Sequence, residues 1–79
     1  ITEPVQVFPA GHAGEISSVA FSPDGSQVLT GGGSNAKLWD AITGELIHTY
    51  VHSGINSLAF SPDGSQVLTG SDDRAAKLW

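Results

Sequence analysis

Ala-Phe-Ser-Pro-Asp-Gly-Ser-Gln-Val-Leu-Thr-Gly at Ala20–Gly31 stands again, letter for letter, at Ala59–Gly70, thirty-nine residues later. Each copy leads into Ala-Lys-Leu-Trp, at Ala36–Trp39 and at Ala76–Trp79. A strict repeat of this length is one supersecondary unit that cannot bury its apolar surface alone. Such units are stable when neighbours stack on them.

Working outward, each copy reads as a hairpin. Ser-Pro-Asp-Gly supplies a preset φ at Pro, a side-chain acceptor at Asp and a positive φ at Gly, so it reads as a turn at Ser22–Gly25 and at Ser61–Gly64. Eight short strands and no helix follow from the pattern: Pro4–Phe8, Ile16–Phe21, Gln27–Thr30, Ala36–Trp39, Leu46–Val51, Ile55–Phe60, Gln66–Thr69 and Ala76–Trp79. Gly31-Gly32-Gly33-Ser34, Asp40–Gly44 and Ser71–Arg74 read as the remaining turns. A period near forty, closed each time by Trp, predicts an all-β chain of four-stranded antiparallel propeller blades. Ser18-Val19-Ala20-Phe21 places small or apolar groups on both sides of its strand, which predicts burial of both sheet faces.

The ends extend the pattern. Glu3-Pro4-Val5-Gln6-Val7-Phe8 aligns with Glu45-Leu46-Ile47-His48-Thr49-Tyr50. Residues 1–13 are therefore expected to give an outer strand and a loop, residues 14–51 a complete blade, and residues 52–79 three strands of a second. Pro4, Val5, Val7 and Phe8 are expected to complete the blade of a neighbouring chain. The expected partner is thus the chain itself. Four chains and eight blades are favoured, a homotetramer, with a homotrimer second, since propellers hold about 4–8 blades.

Gly11-His12, Val19–Gly25 and Lys37-Leu38-Trp39-Asp40 resemble the WD-repeat family over nearly the whole chain. The resemblance implies blades arranged around a central channel. It also implies a hydrogen-bonded set of His, Ser or Thr, Asp and Trp tying each blade. By position that set is His52, Thr69, Asp73 and Trp79 in the second unit, and His12, Thr30 and Trp39 in the first. The first unit has no Asp there; its turn is one residue shorter and Gly33 stands nearest the place. In the second, Ala75 replaces the family's usual Thr. Twelve identical residues at one period are read as a designed, consensus or recently amplified propeller.

Composition narrows the chemistry. The net charge is −5, with Lys37, Arg74 and Lys77 as the basic residues. A phosphate backbone is bound by clustered Lys and Arg, so nucleic acid and anionic membrane are not expected partners. No apolar run approaches the ~20 residues of a membrane span. With no Cys there is no disulfide or thiolate site. No cofactor and no metal are expected; His48, the one His outside the tying positions, falls on an outer strand. Gly31-Gly32-Gly33 lacks the Lys and the helix of a phosphate loop. Asp24 and Asp63 each belong to their own turn.

The sequence bears on three functions. A self-assembling structural scaffold leads, closing head to tail. A protein-interaction platform, a fragment of a natural WD-repeat protein, would present Glu15, Asp72 and Arg74 on loops at one end. An enzyme is not expected, because each Ser, His and Asp has a structural explanation and no Gly-x-Ser-x-Gly turn occurs. Localisation is open: cytoplasmic for a natural chain, recombinant expression for a designed one.

Overall fold

The computed structural model describes residues 7–8 and 15–79. Of the first expected strand only Val7 and Phe8 fall in this range, and His12 lies outside it. Among the described residues there are seven strands: β1 (Ser18–Phe21), β2 (Gln27–Gly32), β3 (Asn35–Asp40), β4 (Leu46–Val51), β5 (Ile55–Phe60), β6 (Val67–Ser71) and β7 (Ala76–Leu78). They form a four-stranded antiparallel sheet, β1-β2-β3-β4, and a three-stranded one, β5-β6-β7.

The Ser-Pro-Asp-Gly turns form as their chemistry dictates. Asp24 Oδ1 accepts from the Ser26 amide at 2.9 Å and from the hydroxyls of Ser26 and Ser22 at 2.7 and 2.8 Å. Gly25 adopts a φ of 76°, which a side chain would disfavour. Asp63 repeats this at 2.7–3.0 Å with Ser61 and Ser65. One rigid local unit thus joins β1 to β2 and β5 to β6.

Strand ends differ from the expected ones in an informative way. Gly31 and Gly32 belong to β2, opposite Ala36 and Asn35, and not to a flexible turn. The turn is the pair Gly33-Ser34. A Cβ on Gly31 would lie 2.8 Å from Ile55 Cγ2 and Leu58 Cδ1, and one on Gly32 only 2.1 Å from the Glu15 carbonyl oxygen. These glycines are strand residues kept bare by close neighbours. Ser71 likewise belongs to β6.

The second sheet packs on the first through β5, which lies against β1 and β2. Their meeting faces form the core: Leu29, Ala36, Leu38, Ile55 and Val67, with Ala20, Tyr50, Leu58 and Phe60 around them. Thr30, Lys37 and Trp39, on the other face of the first sheet, are buried as well. The outward faces expose Val19 and Phe21 on the first sheet and Leu68 and Leu78 on the second, where the sequence pattern predicts cover on both sides.

The β6–β7 connection carries a cost. Ser71 N–H donates to the Ala75 carbonyl at 3.2 Å, closing Asp72-Asp73-Arg74 into a loop, and Arg74 takes a φ of 69°. A left-handed conformation disfavours any residue with a Cβ by roughly 1–2 kcal/mol, of which Gly returns part as extra freedom in the unfolded chain. Arg74→Gly is expected to stabilise the fold by roughly 0.5–1 kcal/mol, read as a rise in the urea midpoint. A fall would mean that the Arg74 side chain itself contributes to stability.

Candidate functional site

The second unit brings four expected residues into one connected set. Thr69, on β6, is fully buried and sits at the crossing. Trp79 Nε1–H donates to Thr69 Oγ1 at 3.1 Å, and Thr69 Oγ1 lies 2.8 Å from His52 Nδ1. His52 Nε2 lies 3.1 Å from Asp73 Oδ2. An indole nitrogen only donates, so the Thr69 hydroxyl accepts from Trp79; the Asp73 carboxylate only accepts, so His52 Nε2 carries the hydrogen between them, and in the neutral ring Nδ1 then accepts the Thr69 hydroxyl proton. The network ties the segment before β5 to β6, to the β6–β7 loop and to the residue that follows β7.

The first unit shows the corresponding Trp39 Nε1–H to Thr30 Oγ1 bond at 2.8 Å. Gly33, in the two-residue turn, offers no carboxylate. The buried Oδ1 of Asn35, next to that turn, accepts no hydrogen bond among the described residues.

Asp73 is held further by its own loop. Its carboxylate takes hydrogen bonds from the Ser71 hydroxyl and from the Ala75 amide, the latter at 2.8 Å. Those two contacts, with His52, bring its pKa down to about 2. Asp24 and Asp63 are also brought down to about 2, by the Ser26 and Ser65 amides first and then the serine hydroxyls. Asp40 is lowered by the Thr43 and Ile42 amides.

For all of these the folded-state pKa lies below the ordinary 3.8. As pH falls, the unfolded chain takes up protons first, so stability present above pH 4 is lost between about 4 and 2. The urea midpoint is expected to stay level from neutral pH to about 5 and then to drop. Asp24→Asn with Asp63→Asn is expected to lower the neutral midpoint and flatten the acid limb; an unchanged slope would remove these turns as its source.

Asp24 and Asp63, expected as unrelated turn residues, line one cleft of about 230 Å³ with Ser22, Pro23, Ser26, Gln27 and Gly64. Each Oδ1 is nonetheless occupied by its own turn. Of the loop candidates, Asp72 Oδ1 accepts from Asn56 Nδ2 at 2.7 Å. Arg74 lies in the same loop and Glu15 ahead of β1, both exposed; no ion pair joins the three among the described residues. His48 packs edge-on against Tyr50, ring centroids 4.6 Å apart. No group of three or more His, Cys, Asp or Glu that could hold a metal occurs among the described residues.

Sequence reasoning missed Ser17, whose hydroxyl donates to the Ile55 carbonyl at 2.6 Å across the junction between sheets. Ser17 stands where the second unit has Asn56, and Asn56 bonds the Asp72 that the first unit lacks.

Two antiparallel sheets with a Trp–Thr–His–Asp tie agree with the comparison against family models, where the WD domain, G-beta repeat, matches residues 2–40 and 44–79. The chain belongs to the WD-repeat family. It is 55% identical over 38 residues to WD repeat-containing protein slr1409 of Synechocystis sp., covering 47% of this chain and 11% of that protein. It is 38% identical over 47 residues to human apoptotic protease-activating factor 1, covering 60% of this chain and 4% of that protein. The chain thus spans a small part of each relative. WD-repeat proteins serve in general as non-catalytic interaction or scaffold modules, and the two sheets here are WD blades in strand order and polarity.

Proposed function

We propose that this chain is a non-catalytic scaffold whose blades associate head to tail with further copies of itself, closing a ring of even blade number. The observation that carries the reading is a difference between identical residues. Leu29 is 0% exposed and Leu38 8%, whereas their repeat equivalents Leu68 and Leu78 are 45% and 62% exposed. The first pair is covered by the second sheet; the second pair offers the same surface uncovered. On the other outward face, Phe21 is 71% exposed where its equivalent Phe60 packs against the core. The molecule carries both halves of a junction it already makes once.

Such a contact is heterologous, joining two different faces, and forms closed rings when the rotation permits. Covering those leucines and Phe21 would contribute about 25 cal/mol per Å² of apolar surface removed from water. Four copies, giving eight blades, are the favoured closure and three copies the next. The identical Ala20–Gly31 and Ala59–Gly70 segments support a designed, consensus or recently amplified origin. Catalysis has no support in the site, where the His, Thr and Asp that resemble a nucleophilic set are bonded into a blade tie.

The test is absolute mass by light scattering after size exclusion, over a dilution series. A mass of four or three chains is expected. A folded monomer at all concentrations would overturn the reading in favour of a platform that binds other proteins.

A further inference from the structure

We propose that Glu15 of one copy pairs with Arg74 of the neighbouring copy, an ion pair that closes each junction between chains. The inference rests on the self-association proposed above and names a contact within it.

The junction inside the chain shows where such a pair falls. There the β2–β3 turn of the first sheet takes two backbone bonds from the segment ahead of β5. Gly54 N–H donates to the Gly33 carbonyl at 2.6 Å, and His52 N–H to the Ser34 carbonyl at 3.1 Å. In the repeat, Gly54 ahead of Ile55 corresponds to Glu15 ahead of Ile16, and the Gly33-Ser34 turn to the Asp72-Asp73-Arg74 loop. Counted back from Ala36 and Ala76, Arg74 takes the place of Ser34. A junction of the same kind between copies therefore sets Glu15 against the loop that carries Arg74. The junction inside the chain has glycine and serine at those two places, so the charges stand only where copies would meet.

Charge and conformation point the same way. Of the three basic residues, Lys37 donates to Thr49 Oγ1 at 3.1 Å and Lys77 stands over the Trp79 ring, 5.8 Å from its centroid. Arg74 is exposed and joins no ion pair among the described residues. The acids of its own loop are engaged, Asp72 by Asn56 and Asp73 by Ser71, Ala75 and His52. Asp24, Asp40 and Asp63 bond within their own turns. Those turns and Glu45 lie at the other end of the sheets, where Ala41 N–H meets the Ser26 carbonyl. Glu15 is exposed at the Arg74 end and joins no ion pair among the described residues. Arg74 also holds a φ of 69°, where glycine would be less strained. Strain of this kind, carried by a side chain with no ion-pair partner among the described residues, points to a contact outside the chain.

Like charges set face to face oppose association. Glu15→Arg chains alone, and Arg74→Glu chains alone, are expected to need at least about tenfold higher concentration for half-assembly, read by light scattering over a dilution series. Both positions are exposed, so each variant is expected to keep the parent circular dichroism. An equimolar mixture of the two is expected to assemble within about threefold of the parent concentration, because copies alternating around a four-chain ring meet only opposite charges. A chain carrying both substitutions restores opposite charges at any ring size and is expected to do the same. Single variants as tight as the parent, or a double variant as weak as the singles, would overturn the pair and leave the ring. With a parent mass of four chains, a double variant that recovers beside a mixture that does not would place the pair within one chain and overturn it between copies. A parent monomeric at all concentrations would overturn the ring and the pair with it.

Discussion

Gly70→Leu chains are expected to fold and run as monomers, whereas Gly31→Leu chains are expected to lose about 1–3 kcal/mol of stability. The two glycines are the same residue of the repeat, so local propensity treats them alike. Their surroundings do not. A Cβ on Gly31 meets Ile55 Cγ2 and Leu58 Cδ1 at 2.8 Å, while on Gly70 the nearest atom is Ser57 Cβ at 3.8 Å, an ordinary contact. A leucine at Gly31 pushes β5 off β2 and opens the single junction that builds the core. Overpacking costs typically 1–3 kcal/mol, against the roughly 3–5 kcal/mol that a core of this size supplies.

At Gly70 the same side chain enters open space on a strand and reduces the freedom of the unfolded chain, so it is neutral or mildly stabilising. In the proposed ring, however, Gly70 takes the place of Gly31. The residues equivalent to Ile55 and Leu58 are then Ile16 and Val19 of the next copy, both exposed here. The leucine would strike them. Circular dichroism with light scattering separates the two effects. A Gly70→Leu chain that still assembles at the parent mass would show that this face is not the contact.

The same comparison explains what could be read in the sequence and what could not. The Ser-Pro-Asp-Gly turns were legible because their chemistry is local: Asp24 and Asp63 bond groups within two residues. The seven described strands follow from those turns. The extension of β2 through Gly31 and Gly32 was not legible, since three glycines and a serine look like a loop. What keeps them in a strand is Ile55, Leu58 and Glu15, residues far away in sequence. Ser17 escaped for the same reason, its partner being the Ile55 carbonyl across the junction. Uneven burial was hidden for a deeper reason. Identical letters carry identical pattern, and only packing distinguishes Leu29 from Leu68.

Thr69→Val is expected to destabilise the fold by about 2–4 kcal/mol, about 1–3 for a buried group left unpaired and a further share for the indole. Valine matches threonine in shape, so packing is kept and the hydroxyl alone is lost. That hydroxyl serves two partners at once, accepting from Trp79 Nε1 at 3.1 Å and facing His52 Nδ1 at 2.8 Å. His52 is 2% exposed, so water cannot replace the lost bond. Networks of this kind lose more than one pairwise term when a shared member goes. Thr69→Ser keeps the oxygen and loses only a methyl group, and is expected to cost about 1 kcal/mol. Urea midpoints for the two variants decide the matter. A valine variant no weaker than the serine variant would show that the methyl group, and not the hydroxyl, holds the second blade together.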